Sequence, residues 1–229
     1  MPVSFHVNPE YAQLSEIVPG LMICGVSALD AETMKRHKVT HIINATTEVP
    51  SLRSLGDIQR TKLWIEDTPQ TYIYPHLELQ SDQIRAIIED GGRVLVHCVA
   101  GVSRSASIVL AYLTKYHCRS LRDAYHLMKM KRPLVRPNLG FWRQLIAFEQ
   151  NIKETPGSVR LVREEHHPEQ LLPDVYLTDV IEARPASPTD EERATDEGRS
   201  RRNSGKSAKF TPVLEPLVEI AEAAEIPVF

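Results

Sequence analysis

The stretch Val94-Leu95-Val96-His97-Cys98-Val99-Ala100-Gly101-Val102-Ser103-Arg104-Ser105 narrows the possible folds more than any other part of the chain. Its apolar, valine-containing start has the composition of a strand buried on both faces. The strand stops at a cysteine, and Gly101 then supplies the backbone freedom a tight turn needs. Beyond it, Ile108, Val109, Tyr112, Leu113 and Tyr116 recur at helical spacing, which predicts a helix over 103–117. Strand, short loop and helix start in that order make an anion trap. Loop NH groups point inward, and the free NH groups at the helix start add a positive partial charge. Phosphate, at about −1.5 to −2 charges, suits such a cradle.

Two side chains would turn the cradle into a catalyst. A thiolate is the nucleophilic form of cysteine, and loop amides with a helix dipole favour that form at Cys98. Arg104 can curl back and hold two phosphate oxygens with its planar fork, which lysine's point charge cannot do. The phosphate-binding set is therefore Val99, Ala100, Gly101, Val102, Ser103 and Arg104.

Further strands are expected at 21–24, 41–45, 62–65 and 93–97, with helices at 28–37, 75–90, 121–131 and 138–152, the last opened by Asn138 as a cap. Strands alternating with helices predict an α/β fold, with a central, mostly parallel twisted sheet of about four to five strands flanked by helices. Pro133 ends the helix before it, because proline has no NH to continue one. From about residue 181 the chain turns to Pro, Ser, Thr, Glu and Arg with little to bury, so a catalytic domain over 1–178 and a flexible, largely disordered tail over 179–229 are expected. Near the end, Leu217, Ile220, Ala221 and Ala224 share one helical face.

The apolar share of 42% and charged share of 25% are those of a globular protein, and a net charge of −3 argues against a nucleic-acid partner. Cys24, Cys98 and Cys118 are too few and too scattered for a disulfide framework, and Cys24 and Cys118 read as structural or surface residues. With no long apolar run and no leader-like start, no membrane span is expected and the chain reads as cytoplasmic, with the nucleus as a second compartment.

His97-Cys98 followed by Arg104-Ser105 resembles the signature loop of cysteine-based protein tyrosine phosphatases. The Ala100-Gly101-Val102-Ser103-Arg104-Ser105 version running into Ile108-Val109-Leu110-Ala111-Tyr112-Leu113 is similar to the dual-specificity branch. Arg132-Pro133, Arg136-Pro137-Asn138 and Gly140-Phe141-Trp142-Arg143-Gln144-Leu145 resemble the small atypical members, over about 16–150 and on towards 176. The resemblance implies a protein tyrosine phosphatase-like fold, no metal or cofactor, and phosphorylated proteins as substrates, MAP kinases among them.

It also implies a general acid upstream. Asp67 ends Lys62-Leu63-Trp64-Ile65-Glu66-Asp67, at the carboxyl edge where Cys98 emerges if the strands are parallel. Glu66 should face away by strand alternation, and Asp57 and Asp82 are weaker choices. Ser105 would hydrogen-bond the sulfur and ease release of a phosphocysteine, His97 would buttress the cysteine, and Asn138 would tie the following loop to the phosphate loop. Lipid-directed relatives carry lysines inside the loop. Here Val99, Ala100 and Val102 favour protein substrates over phosphoinositide or RNA, and retention of Cys98 and Arg104 speaks against a non-catalytic phosphopeptide scaffold.

Overall fold

A computed structural model describes residues 13–163, 169 and 171–177. The expectations for 179–229, the Leu217 to Ala224 face included, lie outside the described residues. The chain divides after Arg160 into two compact units. In the second, β6 (Leu161–Arg163) and β7 (Leu171–Pro173) form an antiparallel pair, which short strands of mixed composition did not announce.

The first unit is built on a five-stranded sheet. Its strands are β1 (Ser15–Val18), β2 (Leu21–Cys24), β3 (His41–Asn44), β4 (Gln59–Lys62) and β5 (Val94–His97), in the spatial order β1-β2-β5-β3-β4. The last four run parallel, and β1 joins β2 antiparallel through a turn at Gly20, whose φ of +85° favours glycine. Every residue of β2 and β5 is buried, as the apolar runs required. The helices are α1 (Ala31–Arg36), α2 (Tyr74–Glu89), α3 (Arg104–Tyr112), α4 (Leu121–Lys131) and α5 (Leu139–Lys153). Among the described residues no helix is long and apolar enough to cross a membrane.

Three elements depart from expectation, each for a local reason. The strand expected at 62–65 pairs instead over Gln59–Lys62. As the edge strand it has a neighbour on one side only, so its ladder residues are polar and largely half-exposed. Leu63 and Ile65 lie past the ladder but keep the alternation, buried on either side of Trp64 at 72% exposure. The first helix starts at Ala31 because the Asp30 carboxylate accepts the Thr33 amide at 2.8 Å and caps it there. The helix expected over 103–117 is α-helical to Tyr112 and then widens into a π turn, Leu113–His117, where the Cys118 amide donates to the Leu113 carbonyl at 2.7 Å.

The core between helices and sheet is aromatic at its α4–α5 end, where Trp142 meets Tyr125 edge-on with ring centroids 5.4 Å apart. Because four strands are parallel, their carboxyl ends open onto one edge. The segments that follow β3, β4 and β5 carry Glu48, Asp67 and Cys98 there.

Candidate active site

The loop between β5 and α3 is held from outside by its carbonyls. The Cys98 carbonyl lies 3.3 Å from His97 Nδ1, Val99 O accepts the Val26 amide at 2.8 Å, and Val102 O accepts the Arg136 amide at 2.9 Å. Arg132 donates to Ala100 O at 3.1 Å through Nη2 and to Gly101 O at 2.8 Å through Nε. In a trans peptide the NH points opposite to its carbonyl, so tying the oxygens outward turns the amides of the loop inward. Gly101 sits at φ +71°, in the left-handed region its sequence position called for.

The sulfur of Cys98 lies in this concavity. It accepts the Gly101 amide and the Ser105 hydroxyl, each at 3.2 Å. Both contacts set hydrogen-bond donors against the sulfur, and α3 begins where the loop ends. Ser103 occupies the cap position of that helix without capping it, so the first amides of α3 keep no side-chain partner there. His97 is buried, and burial is the first cause holding its imidazole down at about 4; Lys62 and Arg104 add to this, while the bond to the Cys98 carbonyl opposes it. It is therefore a neutral buttress at neutral pH. Cys24, paired with His97 across the ladder, is buried and its thiol is pushed up to about 12, chiefly by desolvation, as befits a packed side chain. Cys118 is half-buried, and burial raises its thiol too.

Arg104 is 4% exposed. Its Nη1 donates to Glu48 Oε2 at 2.6 Å and to the Ile65 carbonyl at 3.2 Å, while Nε is buried without a hydrogen-bond partner, 3.6 Å from Asp67 Oδ2. An unmet buried guanidinium donor is costly, and a phosphate oxygen would satisfy it. Burial alone would raise the Glu48 carboxyl, but the hydrogen bond and charge of Arg104 hold it below its ordinary value.

Asp67 emerges at the same edge, beyond the end of β4, and Glu66 beside it is exposed as well. Its Oδ1 accepts the Ser103 hydroxyl at 2.7 Å and the Asn138 side-chain amide at 2.9 Å. Asn138 also donates its backbone amide to Ser103 Oγ at 3.2 Å and caps α5 through Phe141 N at 3.0 Å. Asp57 precedes β4, at the opposite edge of the sheet, and Asp82 is engaged with Lys115 and Tyr116 at 2.7 and 2.6 Å. Neither joins the cluster. Cys98, Arg104, Asp67, Ser105, His97 and Asn138 thus come together with the loop.

Sequence reasoning passed over Glu48 and the buried Arg132. The first lies in an irregular segment 56 residues from its partner, and the second sits inside a quoted motif but with no sign of what it would grip. An acidic residue just after a parallel strand was the one available signal for Glu48. The Ser103 hydroxyl, to which the sequence assigned no partner, donates to Asp67, while its backbone stays in the loop.

The family model for the dual specificity phosphatase catalytic domain matches residues 21–151. Human dual specificity protein phosphatase 21 is 39% identical over 174 residues, covering 76% of this chain and 89% of the relative. Mouse dual specificity protein phosphatase 14 is 41% identical over 138 residues, covering 60% and 67%. Among solved structures, human DUSP28 superposes with a TM-score of 0.59 at 30% identity, covering 61% of this chain and 95% of that one.

Proposed function

This chain belongs to the dual specificity phosphatase family, and on that premise we propose that it hydrolyses phosphotyrosine and phosphoserine or phosphothreonine in proteins through a phosphocysteine intermediate. The reading is supported above all by the Cys98 sulfur resting among the Gly101 amide and the Ser105 hydroxyl, in a loop whose carbonyls are all tied outward.

In the first step the Cys98 thiolate attacks phosphorus in line. The S–P bond forms, the P–O bond to the substrate breaks, and Asp67 gives its proton to the departing oxygen. Loop amides and the Arg104 guanidinium hold the equatorial oxygens as charge builds on them. In the second step water attacks phosphorus, Asp67 takes the water's proton, and the S–P bond breaks to return the thiolate, which the Ser105 hydroxyl steadies at 3.2 Å. Inorganic phosphate leaves.

Phosphorylated proteins of the cytoplasm and nucleus, MAP kinases among them, are the proposed substrates. The test pairs a doubly phosphorylated peptide with a generic aryl phosphate. Cys98→Ser should bind both without turnover, and turnover persisting in that variant would remove Cys98 from the chemistry. Substrate trapping from cell extract with Asp67→Ala should retain phosphoproteins. Recovery of phosphoinositide or RNA alone would overturn the protein-substrate reading, and the absence of MAP kinases from the retained set would overturn that assignment.

A further inference from the structure

Asp67 is fastened from more than one side, and the fastenings are asymmetric. Its Oδ1 receives both the Ser103 hydroxyl and the Asn138 side-chain amide, while Oδ2 lies 3.6 Å from Arg104 Nε. Two donors occupy the lone pairs of one carboxyl oxygen, so a proton carried by this group belongs on the other.

The segment beyond Asp67 is fixed just as firmly. Thr68 and Thr71 close a turn, with their hydroxyls 2.8 Å apart and the Thr71 amide donating to the Thr68 carbonyl at 3.2 Å. Gln144 accepts the Ile73 and Tyr74 amides at 2.7 and 2.9 Å and donates to the Thr71 carbonyl at 2.9 Å. Gly140 lets α5 approach so closely that a Cβ there would stand 1.8 Å from the Pro69 carbonyl oxygen. Ser103, which sits where it would ordinarily cap α3, spends its hydroxyl on Asp67 instead.

We propose that Ser103 together with Asn138, Gly140 and Gln144 of the α5 start are the positioning residues of the general acid, and that Asp67 delivers its proton from Oδ2. The proposal rests on the assignment of Asp67 as acid. The oxygen nearest Arg104 is then the one that faces the phosphoryl group, and the acid loop takes its place from α5 rather than from the arriving substrate. Asn138 and Gln144 act through Asp67 and touch no reacting atom.

Leaving-group dependence tests this, because a good leaving group departs without a proton and a poor one does not. Hydrolysis of phenyl phosphate and dinitrophenyl phosphate is compared in the intact chain, Asp67→Ala, Ser103→Ala, Asn138→Ser and Gln144→Ala. Serine in place of Asn138 still caps α5 but is too short to reach Asp67, so the helix survives the test. Asp67→Ala should lose about 100- to 10,000-fold on the phenyl ester and far less on the dinitrophenyl ester. Each of the other variants should lose at least about 10-fold more on the phenyl ester than on the dinitrophenyl ester, part of the full worth of the acid, while vanadate inhibition holds in Gln144→Ala. Equal losses on both esters in Asn138→Ser and Gln144→Ala, beside a selective loss in Asp67→Ala, would overturn the positioning proposal alone. Equal losses in Asp67→Ala would overturn the acid assignment itself and the proposal with it.

Discussion

Glu48 Oε2 stands 2.6 Å from Arg104 Nη1, and with the Ile65 carbonyl it pins one corner of the guanidinium. The Nε edge is buried without a hydrogen-bond partner, and on the proposed reading it is the edge that meets the phosphoryl group. Two opposite effects follow from Glu48. Its charge competes with phosphate for Arg104, and its hydrogen bond orients the fork. The Glu48 side chain is 44% exposed, so the charge term is screened to about 1 kcal/mol or less. A charge-assisted hydrogen bond that fixes a buried guanidinium is worth about 1.5 to 3 kcal/mol.

Orientation should therefore win. Glu48→Ala is expected to lower kcat/KM about 10-fold and to weaken vanadate inhibition in parallel, with Glu48→Gln in between because it keeps an acceptor oxygen. Steady-state rates and vanadate titration check it. Tighter vanadate binding in the alanine variant would mean that competition, not orientation, dominates.

His97 predicts an acid limb in stability. Its folded value is about 4 against an ordinary 6.5, and burial is the leading cause. Below about pH 6.5 the unfolded chain takes up a proton that the folded chain refuses, so stability falls as pH drops from there to about 4 and then levels off. The whole difference amounts to about 3 kcal/mol. His97→Asn, whose side-chain amide can still reach the Cys98 carbonyl, should lose about 2 kcal/mol less than the parent between about pH 7 and pH 5 in urea unfolding. Parallel curves for the two proteins would assign the limb to other groups.

Gly101 is a third point of leverage. A Cβ there would stand 2.6 Å from Arg132 Nη2 and 2.7 Å from the Cys24 carbonyl carbon and oxygen, and the left-handed backbone disfavours any side chain. The arginine tip can give way, but the strand backbone cannot. Gly101→Ala should cost roughly 2 to 4 kcal/mol in thermal unfolding and lower turnover with it, since the loop must move to admit the methyl group. A variant as stable and active as the parent would show that the loop yields freely.

The legible parts of this protein are those whose signal is continuous along the chain. Strand, cysteine, glycine and arginine lie within one short run, so Cys98, Gly101, Arg104 and Ser105 could be placed before any fold was known. Asp67 was reachable because strand ends share an edge in a parallel sheet. What escaped depends on pairing across distance between irregular segments. Glu48 meets Arg104 from another loop, the Ser103 hydroxyl meets Asp67, and Gln144 spans 70 or more residues to reach the segment after Asp67. None of these leaves a periodic trace. The edge strand β1 escaped, and β4 was expected too far along the chain, for a related reason, since a strand with one neighbour need not be apolar.

The outward-tied carbonyls of the phosphate loop carry one more consequence. A bowl held open by Val26, Arg132 and Arg136 is assembled before an ester arrives and is just as complete once the ester has gone. On the proposed mechanism what remains in it then is orthophosphate, which presents the same oxygens to the same donors. Orthophosphate should therefore compete with the ester for the same bowl, and turnover under the proposed mechanism should fall as free phosphate rises.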